Sequence, residues 1–281
     1  MRSIFMASVI VLGASSLASA QVSSSYLVTV PIQLTITGNE AHGTVGLPGI
    51  NLELTITFET VVGLTSDSLE ASASLVSPLN LDLLRRLPRL LRLPLALPVL
   101  VHVGPTPSSM LSFAGVYTIS FHTHALSLDP LRPLSLLKSP DGGVFTDITR
   151  SEGIGSYRDD GSGGDFSDFL IALDLRSIDT VIVGKFDHLQ ALLTDNAGSI
   201  PPDVATSLQA QLTQARTLYE SGATSEASDQ VRAFSDFVKA HSGEEIPDVW
   251  QAASPTVINV AGLLRSAADT LKFSLDRKAS H

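Results

Sequence analysis

The chain has no cysteine among its 281 residues. Disulfides, thiol nucleophiles, Cys-ligated zinc and iron–sulfur clusters are therefore excluded. So is anchoring through a lipid-bearing cysteine after an export signal. Aromatic residues are scarce, at 6 %, which leaves packing to Leu, Val, Ile and Ala. Basic residues are outnumbered, 18 Lys and Arg against 28 Asp and Glu, for a formal charge of −10. Binding to phosphate backbones needs clustered Lys and Arg, so no nucleic-acid partner is expected. Beyond the first twenty residues no stretch reaches the roughly 20 apolar residues of a membrane-spanning helix. Catalytic signatures are missing as well. There is no G-x-S-x-G elbow, H-E-x-x-H, P-loop or dinucleotide fingerprint.

What is present begins with an address. Arg2 provides a positive start, Ile4 to Leu12 an apolar run, and Ala18-Ser19-Ala20 a small-x-small cleavage site. Residues 1–20 are expected to be a signal peptide removed near Ala20. The destination is then the periplasm or the medium. Hydrophobic content of 44 % with 16 % charge suffices for a sizeable core and argues against disorder.

The hydrophobic period divides the remainder. Residues 21–183 alternate with period two. Tyr26–Thr37 is β-branched and carries Pro31, which suits an edge strand or a bulge. In 51–62, Leu52, Leu54, Ile56 and Phe58 oppose Glu53, Thr55, Thr57 and Glu59, the pattern of a strand wet on one face. Met110–Ala125 reads as one long strand, or two broken at Gly115. The run 154–175 places an Asp/Gly/Ser cluster between two alternating segments, which suggests a β-hairpin. Its second arm, Phe169–Leu175, is apolar on nearly both faces and is expected to be central. From 184 to 278 the period becomes 3.6. Leu189, Leu192 and Leu193 mark one helix ending near Gly198. A second opens at Pro201-Pro202-Asp203 and stops at Gly222. A third carries Ala227, Val231, Phe234 and Val238. A fourth opens at Ser254-Pro255, with Ser254 as cap. Trp250 is expected to seal one end of this bundle. The expected fold class is α+β, a sandwich-like β-rich domain followed by a bundle of about four helices.

The small and apolar spacing from Leu192 through Gly198, Ile200, Val204, Leu208, Leu212, Ala215, Gly222, Ala227, Val231, Phe234 and Val238 to Ile246 resembles the helical FIMAH-type module of secreted bacterial proteins. That resemblance implies an accessory or interaction role and carries no catalytic residues. The segment from Phe145 to Ser177 also resembles an uncharacterised family of secreted bacterial proteins with the same order of β part and helices.

Three candidate sites follow from residue type. His122 and His124 share a strand face, and with His102 they form a possible transition-metal set. The competing reading is a solvated strand face. DDGSGGD lacks the EF-hand spacing and reads first as a polar turn; as a calcium site its oxygen donors would be Asp159, Asp160, Asp165 and Asp168. Arg85, Arg86, Arg89 and Arg92 alternate with leucines over 82–93 and would suit an anionic membrane surface. Pro88 breaks any helix there, and the alternative is a Leu/Pro-rich crossover with solvated arginines. The expected function is non-catalytic, an interaction or accessory role toward an unknown protein or cell-surface component, with no resident cofactor. The alternatives are a metal-dependent or carboxylate-based secreted hydrolase and attachment to a membrane surface. The oligomeric state is open.

Overall fold

A computed structural model describes residues 26–47, 49–127, 133–153, 156–254 and 256–280. The expected signal peptide and Pro255 lie outside the described residues. In chain order the elements are β1 (Tyr26–Ile32), β2 (Leu34–Thr37), β3 (Glu40–Thr44), β4 (Leu52–Val62), β5 (Leu69–Val76), α1 (Leu81–Arg86), β6 (Leu91–Arg92), β7 (Val99–Pro105), β8 (Ser112–Ser127), β9 (Leu134–Ser139), β10 (Thr146–Asp147), β11 (Thr149–Gly153), β12 (Ser156–Gly163), β13 (Ser167–Asp174), α2 (Ile178–Asp195), α3 (Pro202–Glu220), α4 (Thr224–Ala240), β14 (Val249–Gln251) and α5 (Val260–Ala279).

Alternation becomes a sandwich of two antiparallel sheets. The first runs β1-β5-β7-β13-β9-β10, with β6 also on β13. The second runs β11-β12-β8-β4-β3-β2, with β14 on β8. Leu52, Leu54, Ile56 and Phe58 of β4 are all buried. They meet Val99, Val101, Phe169 and Ile171 of the opposite sheet in one core, and Phe121 and Phe169 touch across it at 6.2 Å between ring centres. Each such aliphatic side chain contributes about 1.5–3 kcal/mol on burial. Pro31 sits on β1, an edge strand, where its missing N–H costs no ladder bond. β8 is continuous over sixteen residues, with a register shift on β4 at Phe58/Thr60 opposite the left-handed Gly115 (φ 74°).

The expected hairpin at 154–175 does not form. β12 pairs with β8 and β11 in the second sheet, while β13 pairs with β7 and β9 in the first. The Asp/Gly residues are largely strand, and only Gly164-Asp165-Phe166 joins the sheets. Asp159 lies core-side, accepting a 2.5 Å bond from Tyr157. Asp160 faces outward and accepts from Ser120 (2.5 Å) and Ser151 (2.7 Å). Polar residues misled the sequence reading here because their partners come from distant strands. β13 is central as expected, with Leu170 and Ala172 covered on its other face by Leu83, Leu91 and Phe145.

Helices α2 to α5 share a second core. α2 begins at Ile178, inside the stretch read as the end of the β-rich part, with Ser177 capping Thr180 N–H. α3 opens at Pro202 as expected, and Gly222 (φ 88°) follows its last turn. α5 starts at Val260 and not at Ser254; its cap is Asn259, whose carbonyl oxygen accepts from Gly262 N–H at 2.8 Å. α5 also lies on β8, β11 and β12 of the second sheet. Trp250 belongs to the sandwich side, on β14, stacked on Phe113 at 5.4 Å and edge-on to Phe166 at 4.8 Å. Among the described residues no helix is long and apolar enough to cross a membrane.

Candidate functional site

The helical layer locks onto the sandwich by close backbone approach and buried charge. Asn259 donates to the carbonyls of Gly115 (2.6 Å) and Gly164 (3.3 Å). A Cβ on Gly164 would stand 2.6 Å from Leu263 N, and one on Gly262 would stand 2.4 Å from Gly115 O. Only glycine permits this contact. Farther along, the Lys185 ammonium is buried, 3.3 Å from Asp147 and donating to Thr270 O and Ser274 Oγ at 3.0 Å each. Loss of hydration pushes its pKa below the ordinary lysine value, against the pull of Asp147. Arg176 binds Asp174 through Nε at 2.8 Å and through Nη2 at 2.5 Å. On the second sheet, Arg265 of α5 reaches Glu59 at 2.7 Å.

These contacts leave a cleft of about 920 Å³ between the layers. The ends of β7 and β13, the turn at 164–166, β14 and the approach to α5 surround it. Its floor carries Phe166 and Trp250. His102 and Asp168 also line the cleft, tied to each other and to Arg86. His102 Nδ1 donates to Asp168 at 3.0 Å, and Arg86 Nη2 donates to the other carboxylate oxygen at 2.8 Å. Arg86 is held in turn by Gly143 O (3.0 Å) and Ser139 Oγ (2.8 Å), with Phe145 beneath at 4.7 Å. The bond to Asp168 raises the His102 pKa. Burial pushes the Asp168 carboxyl up, but His102 and Arg86 outweigh it and hold it below the usual carboxylate value. The His102 ring lies over Gly104, with Nε2 3.1 Å from where a Cβ would sit. The fixed imidazole offers a donor, and the two aromatic rings that line the same cleft offer a flat apolar surface, to a bound molecule.

The expected sets do not converge. His122 and His124 are on the outer face of the second sheet, 4.9 Å apart between ring centres, with His122 bonded to Glu53 at 3.0 Å. His102 is on the first sheet. Of the four aspartates, Asp159 is core-side, Asp160 is bonded to serines, Asp165 is paired with Lys138, and Asp168 is tied to His102 and Arg86. Among the described residues no group of three or more His, Cys, Asp or Glu is placed to hold a metal. The arginines divide. α1 is only six residues long and ends at Arg86, with Leu87 as its extended cap before Pro88, so no amphipathic helix spans 82–93. Arg86 is turned inward, whereas Arg85 is open to solvent with Asp82 at 3.7 Å. Arg89 and Arg92 are exposed. The sequence reading missed Phe166 and Trp250 as a cleft floor, and it missed Asn259. An Asn ahead of an apolar helical run was the available sign for the last.

A family model, itself without an assigned function, matches residues 8–279. No curated protein and no solved structure matches the chain.

Proposed function

The chain belongs to the Family of unknown function (DUF6689), and from its own geometry we propose that it is an exported, non-catalytic binding protein. Its ligand, a protein segment or cell-surface component, lies in the cleft between sandwich and helices. The observation that carries this reading is the rim and floor together. Arg86 and Asp168 hold the His102 ring in place, and Phe166 and Trp250 line the same cleft. Rigid polar groups in an aromatic-lined cleft of this size suit recognition. The export pattern of residues 1–20 and the likeness of the helices to an accessory module support the same reading.

NMR titration with panels of tripeptides and of di- and trisaccharides tests it. The expected result is movement of the Trp250 indole N–H and His102 ring signals by at least one panel, with the His102 movement abolished in Trp250→Ala. Both signals unmoved across both panels, with turnover of ester or glycoside substrates, would favour the hydrolase alternative.

A second reading has its own observation. Leu79, Leu81, Leu84, Leu90 and Leu95 are exposed alongside Arg85, Arg89 and Arg92. Apolar side chains next to cations suit an anionic lipid surface. Co-sedimentation with phosphatidylglycerol vesicles should fall when Arg85, Arg89 and Arg92 become Ser. Binding unchanged by those substitutions eliminates it. Arg86 is left alone because its loss would disturb the rim.

A further inference from the structure

Behind Asp165 and Leu263, which also border the cleft, lies a second compartment of about 300 Å³. Both layers build it: Ile148 and Ser162 from the sandwich, His188 and Leu192 from α2, and Leu263 and Ala267 from α5. Its lining is mostly carbon. Ser162 is the exception that matters. It is 1 % exposed, on the β12 face turned to α5, and its Oγ has no hydrogen-bond partner among the described residues. A buried hydroxyl without a partner is disfavoured; this one is closed to water from the compartment, so a turn of the Ser162 side chain is what brings it to a donor or acceptor there. Charge gives a second constraint. Lys138 and Asp165 pair with each other at the wall. His188 is reachable by solvent yet walled by protein, and lost hydration with Lys138 nearby pushes its pKa down. Asp147, also in the wall, is paired with Lys185 and Arg176, so the wall offers no unpaired charge and an ion would enter without a counter-ion.

We propose that this compartment binds an uncharged, mainly aliphatic small molecule whose single hydroxyl or carbonyl group bonds to Ser162 Oγ. Its walls have the composition of a small-molecule site, a few polar atoms fixing the orientation of an apolar body. The proposal goes beyond the cleft reading and stands without it.

The probes are the straight alcohols from 1-butanol to 1-octanol, with 1-chlorohexane and octanoate as controls, titrated against the full chain by NMR. Affinity should rise about fourfold for each added methylene until the compartment is full, then level off. Ser162→Ala should weaken 1-hexanol by about fivefold and leave 1-chlorohexane unchanged. Octanoate should bind more weakly than 1-octanol. Ala267→Leu should close the space and remove binding, with far-UV circular dichroism reporting whether the fold is kept. Should that variant unfold, nuclear Overhauser contacts between 1-hexanol and the Ala267 methyl in the unaltered chain take its place. Trp250→Ala should leave alcohol binding intact, which separates this site from the cleft. Affinity independent of chain length overturns the proposal. So does tighter binding of octanoate, or 1-hexanol binding untouched by Ser162→Ala, the result expected if only water meets the hydroxyl.

Discussion

Asp168 is the residue on which the cleft rim depends. Its two oxygens are divided between an imidazole N–H and a guanidinium, so removing its charge weakens both bonds. Asp168→Asn should lower the His102 pKa, read as the midpoint of the ring-proton NMR titration; an unchanged midpoint would refute the pairing. The direction of the pH effect follows from linkage. His102 is raised above 6.5, so its share of stability is complete below that value and lost as pH climbs through the folded pKa. Asp168 is lowered below 3.8, so its share is present above that value and lost as pH falls through the folded pKa. Stability should therefore decline as pH climbs through the His102 pKa in the parent chain and less so in Asp168→Asn, although the half-exposed ring is screened by water and the effect is small. Glycines give the second prediction at this scale. Ala is the better helix former by about 1 kcal/mol, yet Gly262→Ala should destabilise by about 1–3 kcal/mol, because the new methyl meets Gly115 O. Urea denaturation decides the sign. The sequence named His102 and Asp168 as separate candidates for two different metals. Their pairing was hidden because they are 66 positions apart and meet only through the register of β7 on β13.

Among the elements, α5 has the most to satisfy. It is packed by α2 and α4 on one side and by β8, β11 and β12 on the other. Its cap therefore serves two purposes, closing its own first turn and binding two sandwich carbonyls. Asn259→Ala should cost more than the usual ~1 kcal/mol of a lost cap, since it also strands the buried carbonyls of Gly115 and Gly164. Asn259→Asp keeps the cap but turns a carboxylate oxygen onto those two carbonyl oxygens in a buried site, so it should cost at least as much as Asn259→Ala. Buried charge between elements behaves likewise. Asp147→Asn leaves Lys185 ionised among backbone and hydroxyl oxygens, and should lower stability by roughly 3 kcal/mol in denaturant titration. A loss under half a kcal/mol would mean that Lys185 is already neutral. Helix periods were readable for α3 and α4, because one apolar stripe meets one core. The start of α5 was not, since Ser254 and Asn259 are both good caps and the choice fell to the carbonyls waiting on β8 and the 164 turn. Leu93, Leu95, Leu97, Val99, Val101 and Val103 alternate along the chain as one apolar face would, yet Leu95 is 80 % exposed, because a turn intervenes before β7.

At the scale of the whole molecule, the sandwich and the helices are expected to melt together. Glu59–Arg265, the Asp147–Lys185 pair and the contacts of Gly164 with the start of α5 all lie between the layers. Calorimetry should give one transition whose calorimetric and van't Hoff enthalpies agree; two resolved transitions would show the layers to be energetically independent. The sequence by itself determined the α+β class, the single buried face of β4, the central place of β13 and the stripes of α3 and α4. Each of these follows from a repeat of two or about 3.6 residues, which any local window carries. Only tertiary structure decided that β12 and β13 part into opposite sheets, that Trp250 joins the sandwich, that Arg86 turns inward and that the four aspartates go to four separate environments. A polar side chain takes its role from the partner it finds, and here the partners come from distant strands and from the helical layer, so no local pattern could specify them.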